Sequence, residues 1–106
     1  MTGFVPAARL ADVPPGTGVG VEVEGRAVAV FNVDGTLHAI EDVCTHAGAK
    51  LSEGPLEGRR VTCPWHHAVF DVPTGEACGG PAFSDVAVYE VRVEGDQVLV
   101  RVPASG

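Results

Sequence analysis

The chain has 106 residues, 45% of them hydrophobic and 20% charged, which suffices for one folded domain and is too little for two domains with a cleft between them. Its formal net charge of −7 at pH 7 argues against nucleic acid and anionic lipid as partners, because both are polyanions that select basic patches. Fourteen Gly and eight Pro, clustered between Val-rich runs, predict an all-β domain of short strands and turns without long helices.

Met1 to Leu10 shows no basic region followed by an apolar stretch, and no apolar run approaches the roughly 20 residues that span a bilayer, so no membrane contact and a cytoplasmic location are expected. Cys44, Cys63 and Cys78 are too few and too odd in number for the dense, even disulfide framework of small secreted domains. Metal ligation is the alternative for two of them.

Along the chain, Val19, Val21 and Val23 alternate with polar or small residues, then Val28, Val30 and Val33 follow after Glu24-Gly25. This predicts two strands and a tight turn. Asp34-Gly35 separates Ala27–Val33 from Thr36–Ile40, and Asp-Gly between β-prone runs marks a two-residue hairpin because Gly accepts positive φ at no steric cost. From Glu41 to Gly58 the periodicity fades into a long connection, which in a small domain usually has a function. A short strand at Arg60–Thr62 leads into Cys63-Pro64-Trp65-His66-His67. A strand at Val69–Val72 follows, then the turn-rich stretch Gly75–Pro81. Val86–Val93 and Val98–Val102, joined by Gly95-Asp96, predict a closing hairpin.

Two loops carry chemistry. Cys44-Thr45-His46 and Cys63-Pro64-Trp65-His66 are Cys/His pairs separated by the sixteen residues 47–62, so two thiolates and two imidazoles can converge on one metal site. A tetrahedral zinc accepts the same four ligands, which leaves a zinc-stabilised interaction module without redox activity as one reading. Each loop here supplies one ligand of each type, whereas zinc modules commonly pair Cys with Cys and His with His.

The mixed arrangement resembles the Rieske family, whose pattern of Cys-x-His and a later Cys-x-x-His matches at Cys44, His46, Cys63 and His66. The resemblance extends to Phe31-Asn32-Val33-Asp34-Gly35, Leu51-Ser52-Glu53-Gly54 and Gly79-Gly80-Pro81-Ala82, and is greatest to the ferredoxin components of bacterial aromatic-ring dioxygenases. It implies an antiparallel β-sandwich over residues 1–106 as a single domain. Its cluster-binding loops would lie at about 41–58 and 63–68, with a covering loop at about 79–82. It further implies one [2Fe–2S] cluster, with Cys44 and Cys63 on one iron and His46 and His66 on the other.

By the same resemblance the chain is not an enzyme but a one-electron carrier, expected as a monomer, between a flavin-dependent ferredoxin reductase and a terminal oxygenase. The small Rieske subunit of a nitrite-reductase-type complex is the neighbouring alternative. An oxygenase catalytic subunit would need a further domain with a 2-His-1-carboxylate iron site, and 106 residues leave no chain to build one.

Two ferric ions, two sulfides and two thiolates sum to zero charge, so the oxidised cluster is neutral and the reduced one carries −1. Replacing two Cys by His thereby lifts the potential from about −400 mV into a window of roughly −150 to +300 mV. High-potential members of the family place a Ser and a Tyr where this chain has Ala68 and Phe70, and a disulfide pair where it has Ala49 and Trp65. Without those hydroxyl donors, a potential around −150 mV is expected.

The remaining candidates have plainer readings. Cys78 is expected to be a structural or incidental thiol, His67 a surface or outer residue because successive side chains point apart, and His38 a packed or surface residue of a strand. Trp65 either packs over the cluster loop or meets a partner. Glu41, Asp42, Glu53, Glu57 and Asp71 form either a docking face or a solubilising surface.

Overall fold

The structure is a computed structural model that describes residues 3–43, 50–64, 68–79 and 85–102. Ten strands build two antiparallel sheets. The larger contains β1 (Phe4–Arg9), β2 (Gly18–Val23), β3 (Arg26–Val33), β4 (Thr36–Glu41), β9 (Val88–Glu94) and β10 (Gln97–Arg101), in the order β1-β10-β9-β4-β3-β2. The smaller contains β5 (Leu56–Glu57), β6 (Arg60–Thr62), β7 (Val69–Asp71) and β8 (Ala77–Gly79) in sequential order. The small sheet is thus an insertion between β4 and β9, which pair with each other through Ala39–Tyr89 and Ile40–Val88.

The hairpin turns follow the expected chemistry. Asp34 and Gly35 both have positive φ, 52° and 95°, as a type I′ turn requires. The predicted strands at Thr36–Ile40 and Arg60–Thr62 are present, the first extended by Glu41.

Strand β3 explains how the two sheets share one scaffold. Five consecutive residues, Val28 to Asn32, are buried, because the strand is covered on both faces. Val28 and Val30 face a core with Ala39, Val98 and Val100 inside the larger sheet, while Ala29 and Phe31 face a second core with Ile40, Leu51, Val61, Cys63, Ala68 and Phe70. The alternation of side chains along one strand therefore ties the smaller sheet to the larger one.

Three strands lie outside the expected set. Strand β1 carries Pro6 and pairs only with β10, through a register shift between Pro6 and Ala8. A residue without an N–H is tolerated at such an edge. Strands β5 and β8 are two and three residues long, too short to show periodicity, and β8 joins β7 by an irregular register. The closing hairpin starts at Val88 rather than Val86, because the Val86 N–H bonds the Gly75 carbonyl at 2.9 Å and its side chain packs in the smaller sheet's core.

Candidate metal centre

Of the four expected ligands, Cys63 lies among the described residues, while Cys44, His46 and His66 lie outside them, as do Trp65, His67 and residues 80–82 of the expected covering loop. Cys63 follows β6 directly and is fully buried. Its N–H donates to the Ala68 carbonyl at 2.7 Å, closing the loop that carries Cys63-Pro64-Trp65-His66 onto the β6–β7 ladder. It belongs to the buried core that also contains Leu51, Val61, Ala68 and Phe70. Among the described residues no group of three or more His, Cys, Asp or Glu converges as a metal site, since three members of the expected set are outside them.

The first loop is held at both ends. Asp42, directly after β4, is 2% exposed, and its carboxylate accepts the Ser52 N–H and the Ser52 Oγ–H, both at 2.7 Å. Ser52 belongs to a 3₁₀ turn, Leu51–Glu53, whose flanking residue Lys50 supplies no side-chain cap. The Asp42 carboxylate therefore satisfies an N–H that a helix start otherwise leaves unpaired. Leu51 is fully buried against the core that holds Cys63, so the end of the first loop packs on the base of the second.

Close backbone contact then joins the loops. A Cβ on Gly54 would lie 1.9 Å from the Thr62 carbonyl oxygen and 3.2 Å from Pro64 Cδ, so no larger residue fits without moving the segment that leads into Cys63. Glycine is needed at this point of the Leu51-Ser52-Glu53-Gly54 segment for space rather than for backbone freedom.

A second polar device braces the small sheet. Arg59 donates to Asp71 through Nε at 2.6 Å and Nη2 at 3.0 Å, and the Thr74 hydroxyl donates to the same carboxylate at 2.7 Å. The Val72 N–H bonds the Arg59 carbonyl at 2.8 Å, so the β5–β6 turn and the β7–β8 turn are fastened together. Asp42 and Asp71 are thus internal structural carboxylates, which corrects the expectation that both belong to an acidic surface. A buried carboxylate needs several donors, and both have them. Charge alone could not reveal this.

The Arg59 hydrogen bonds, with Thr74 adding to them and burial opposing, hold the Asp71 carboxyl down at about 2 from its ordinary 3.8. His38, half-buried on β4, is pushed below its ordinary 6.5 by burial and by the Arg59 charge, against the opposing pull of Asp71. Both folded pKa values lie below the unfolded ones, so both contributions are complete at neutral pH and are lost on acidification. Thermal stability followed by circular dichroism should decline first below about pH 6.5 and again between about pH 4 and 2. His38→Gln should remove the first decline relative to the parent and Asp71→Asn the second, the latter at the cost of a lower Tm at pH 7. Cys78, by contrast, is exposed and makes a long contact, 3.4 Å, with the Glu76 carbonyl, which fits an incidental thiol.

Two antiparallel sheets, the smaller inserted between β4 and β9, with buried Cys63 heading a loop whose sequence contains His66, define an all-β protein carrying a Cys/His loop. Residues 3–90 match the family model of the Rieske [2Fe–2S] domain, and the chain belongs to that family. The ferredoxin component of the naphthalene 1,2-dioxygenase/salicylate 5-hydroxylase systems of a Ralstonia species is 40% identical over 99 residues, which cover 93% of this chain and 95% of that protein. The ferredoxin of carbazole 1,9a-dioxygenase from Nocardioides aromaticivorans IC177 superposes with a TM-score of 0.88 at 33% identity, covering 92% of this chain and 96% of that one. A chain in a complex of reduced oxygenase and oxidised ferredoxin of carbazole 1,9a-dioxygenase superposes equally well, at 0.88 and 35% identity, over 95% of this chain and 94% of that one. The protein is accordingly a Rieske ferredoxin with one [2Fe–2S] cluster, an electron carrier rather than a catalytic subunit. No helix among the described residues is long and apolar enough to cross a membrane.

Proposed function

We propose that this ferredoxin takes single electrons from a flavin-dependent reductase in the cytoplasm and delivers them to a terminal aromatic-ring dioxygenase. In this reading Cys44, His46, Cys63 and His66 hold the cluster, and residues 1–106 act as one domain. The observation that carries it is the burial of Cys63 at the mouth of a hairpin loop closed by its own N–H bond to Ala68, against the packed end of the loop that follows Cys44 and His46.

The donor set fits the group. Two thiolates suit the soft iron–sulfide core, and two imidazoles leave the oxidised site neutral, which favours accepting one electron. When bound, the cluster supplies that one-electron storage. The chain's own residues do the rest: the core that includes Leu51, Val61, Ala68 and Phe70 buries Cys63, and the Cys63–Ala68 and Asp42–Ser52 bonds fasten the ends of the two ligand-bearing loops.

The test is electron paramagnetic resonance of the dithionite-reduced protein with iron and acid-labile sulfide counts. Mixed His/Cys ligation gives a lower average g than all-cysteine ligation, and about two irons and two sulfides per chain are expected. With reductase, NADH and an aromatic-ring dioxygenase added, substrate hydroxylation should depend on this protein. A colourless preparation with one zinc per chain would replace the carrier by a structural module.

A further inference from the structure

Resting on the cluster assignment above, we infer that Asp42, Ser52 and Gly20 form a clamp that positions the first ligand loop, making Asp42 and Ser52 positioning residues for the cluster. Asp42 stands two residues before Cys44, and Ser52 six residues after His46, so their two hydrogen bonds fasten the entry and exit of the ligand-bearing segment to each other.

The clamp is walled by β2. A Cβ on Gly20 would lie 2.6 Å from both Asp42 Oδ2 and Ser52 Oγ, so the two hydrogen-bonded groups are packed against bare backbone. Gly20 pairs with Ala29 in regular antiparallel register and lies at ordinary negative φ, so its backbone conformation is open to Ala and only the space is lacking. The Asp42 N–H also bonds the Ala27 carbonyl at 3.0 Å, which anchors the clamp to β3.

Through Leu51, adjacent to Ser52 and packed in the core with Cys63, the clamp sets the first loop against the second. Its purpose is therefore the relative placement of two ligand pairs that the chain delivers from separate loops, the β4–β5 connection and the β6–β7 hairpin.

Four variants of the full chain separate these roles. Ser52→Ala removes the hydroxyl bond, Gly20→Ala wedges the pair apart without changing either partner, and Ser52→Thr restores the hydroxyl. Val100→Ala weakens the fully buried base-sheet core, which the clamp does not touch. The readouts are the rate of iron transfer to a chelator at neutral pH and the line shape of the reduced-state paramagnetic signal.

The expected result is iron loss about tenfold faster than the parent in Ser52→Ala and Gly20→Ala, with broadened lines; tenfold corresponds to about 1.4 kcal/mol. Ser52→Thr and Val100→Ala should match the parent in both readouts. The clamp is overturned if Ser52→Ala and Gly20→Ala keep the parental rate and line shape, or if Val100→Ala changes them as much. A parent protein that itself carries zinc without sulfide overturns the cluster assignment and the clamp with it, and that outcome is read from the metal content before any variant is compared.

Discussion

Cys63→Ala should purify with less than about a tenth of the parental iron and sulfide while keeping its β-sheet circular dichroism. Loss of an outer partner to a metal ligand commonly costs about 10- to 100-fold in affinity, and loss of a ligand atom itself exceeds that. The cost to the fold is modest by comparison. Cys63 behaves as a small apolar side chain among Leu51, Val61, Ala68 and Phe70, and Ala removes only its sulfur, a change on the order of 1 kcal/mol in a buried site. The backbone bond from Cys63 to the Ala68 carbonyl is kept, since it does not use the side chain. Cys78→Ala is the control: this exposed thiol lies on an edge strand, and its removal should leave iron, sulfide and the paramagnetic signal as they are. A Cys63→Ala protein with full iron content would remove Cys63 from the ligand set, and exchange of the two outcomes would assign the role to Cys78.

The hairpins were readable because each turn follows a local rule. Positive φ at Asp34-Gly35 and the alternation of Val28 and Val30 against Ala29 and Phe31 depend on neighbours one or two residues away. What escaped the sequence is what depends on distance in the chain. Asp42 reads as one more acidic residue in a chain of net charge −7 until Ser52, ten residues on, supplies two donors to it. Asp71 needs Arg59, twelve residues away, to become a fastening between turns. Gly54 looks like loop composition, yet its lack of a Cβ is dictated by the Thr62 carbonyl on another strand. The short edge strands β5 and β8 are made by pairing rather than by propensity, since two or three residues cannot display a period.

The double substitution Ala68→Ser/Phe70→Tyr should raise the midpoint potential, from a parental value near −150 mV, by roughly 60 mV for each new hydroxyl that reaches the cluster or its thiolates. Ala68 and Phe70 are both fully buried and share the apolar core to which Cys63 belongs. Reduction adds one negative charge to a neutral site, and in a low-dielectric setting a donor aimed at that charge stabilises the reduced form more than the oxidised one. A hydrogen bond stronger by about 1.4 kcal/mol in the reduced state shifts a one-electron couple by about 59 mV. A buried hydroxyl without an acceptor is costly, which drives each new O–H toward whatever acceptor lies nearest. Spectroelectrochemistry of the parent, both single variants and the double variant measures the shift directly and shows whether the two contributions add. A change below about 20 mV, under half a kcal/mol on the same scale, would mean that neither side chain reaches the cluster. A measured parental value near −150 mV would then have to come from the site's charge and solvation instead of from its missing hydroxyls.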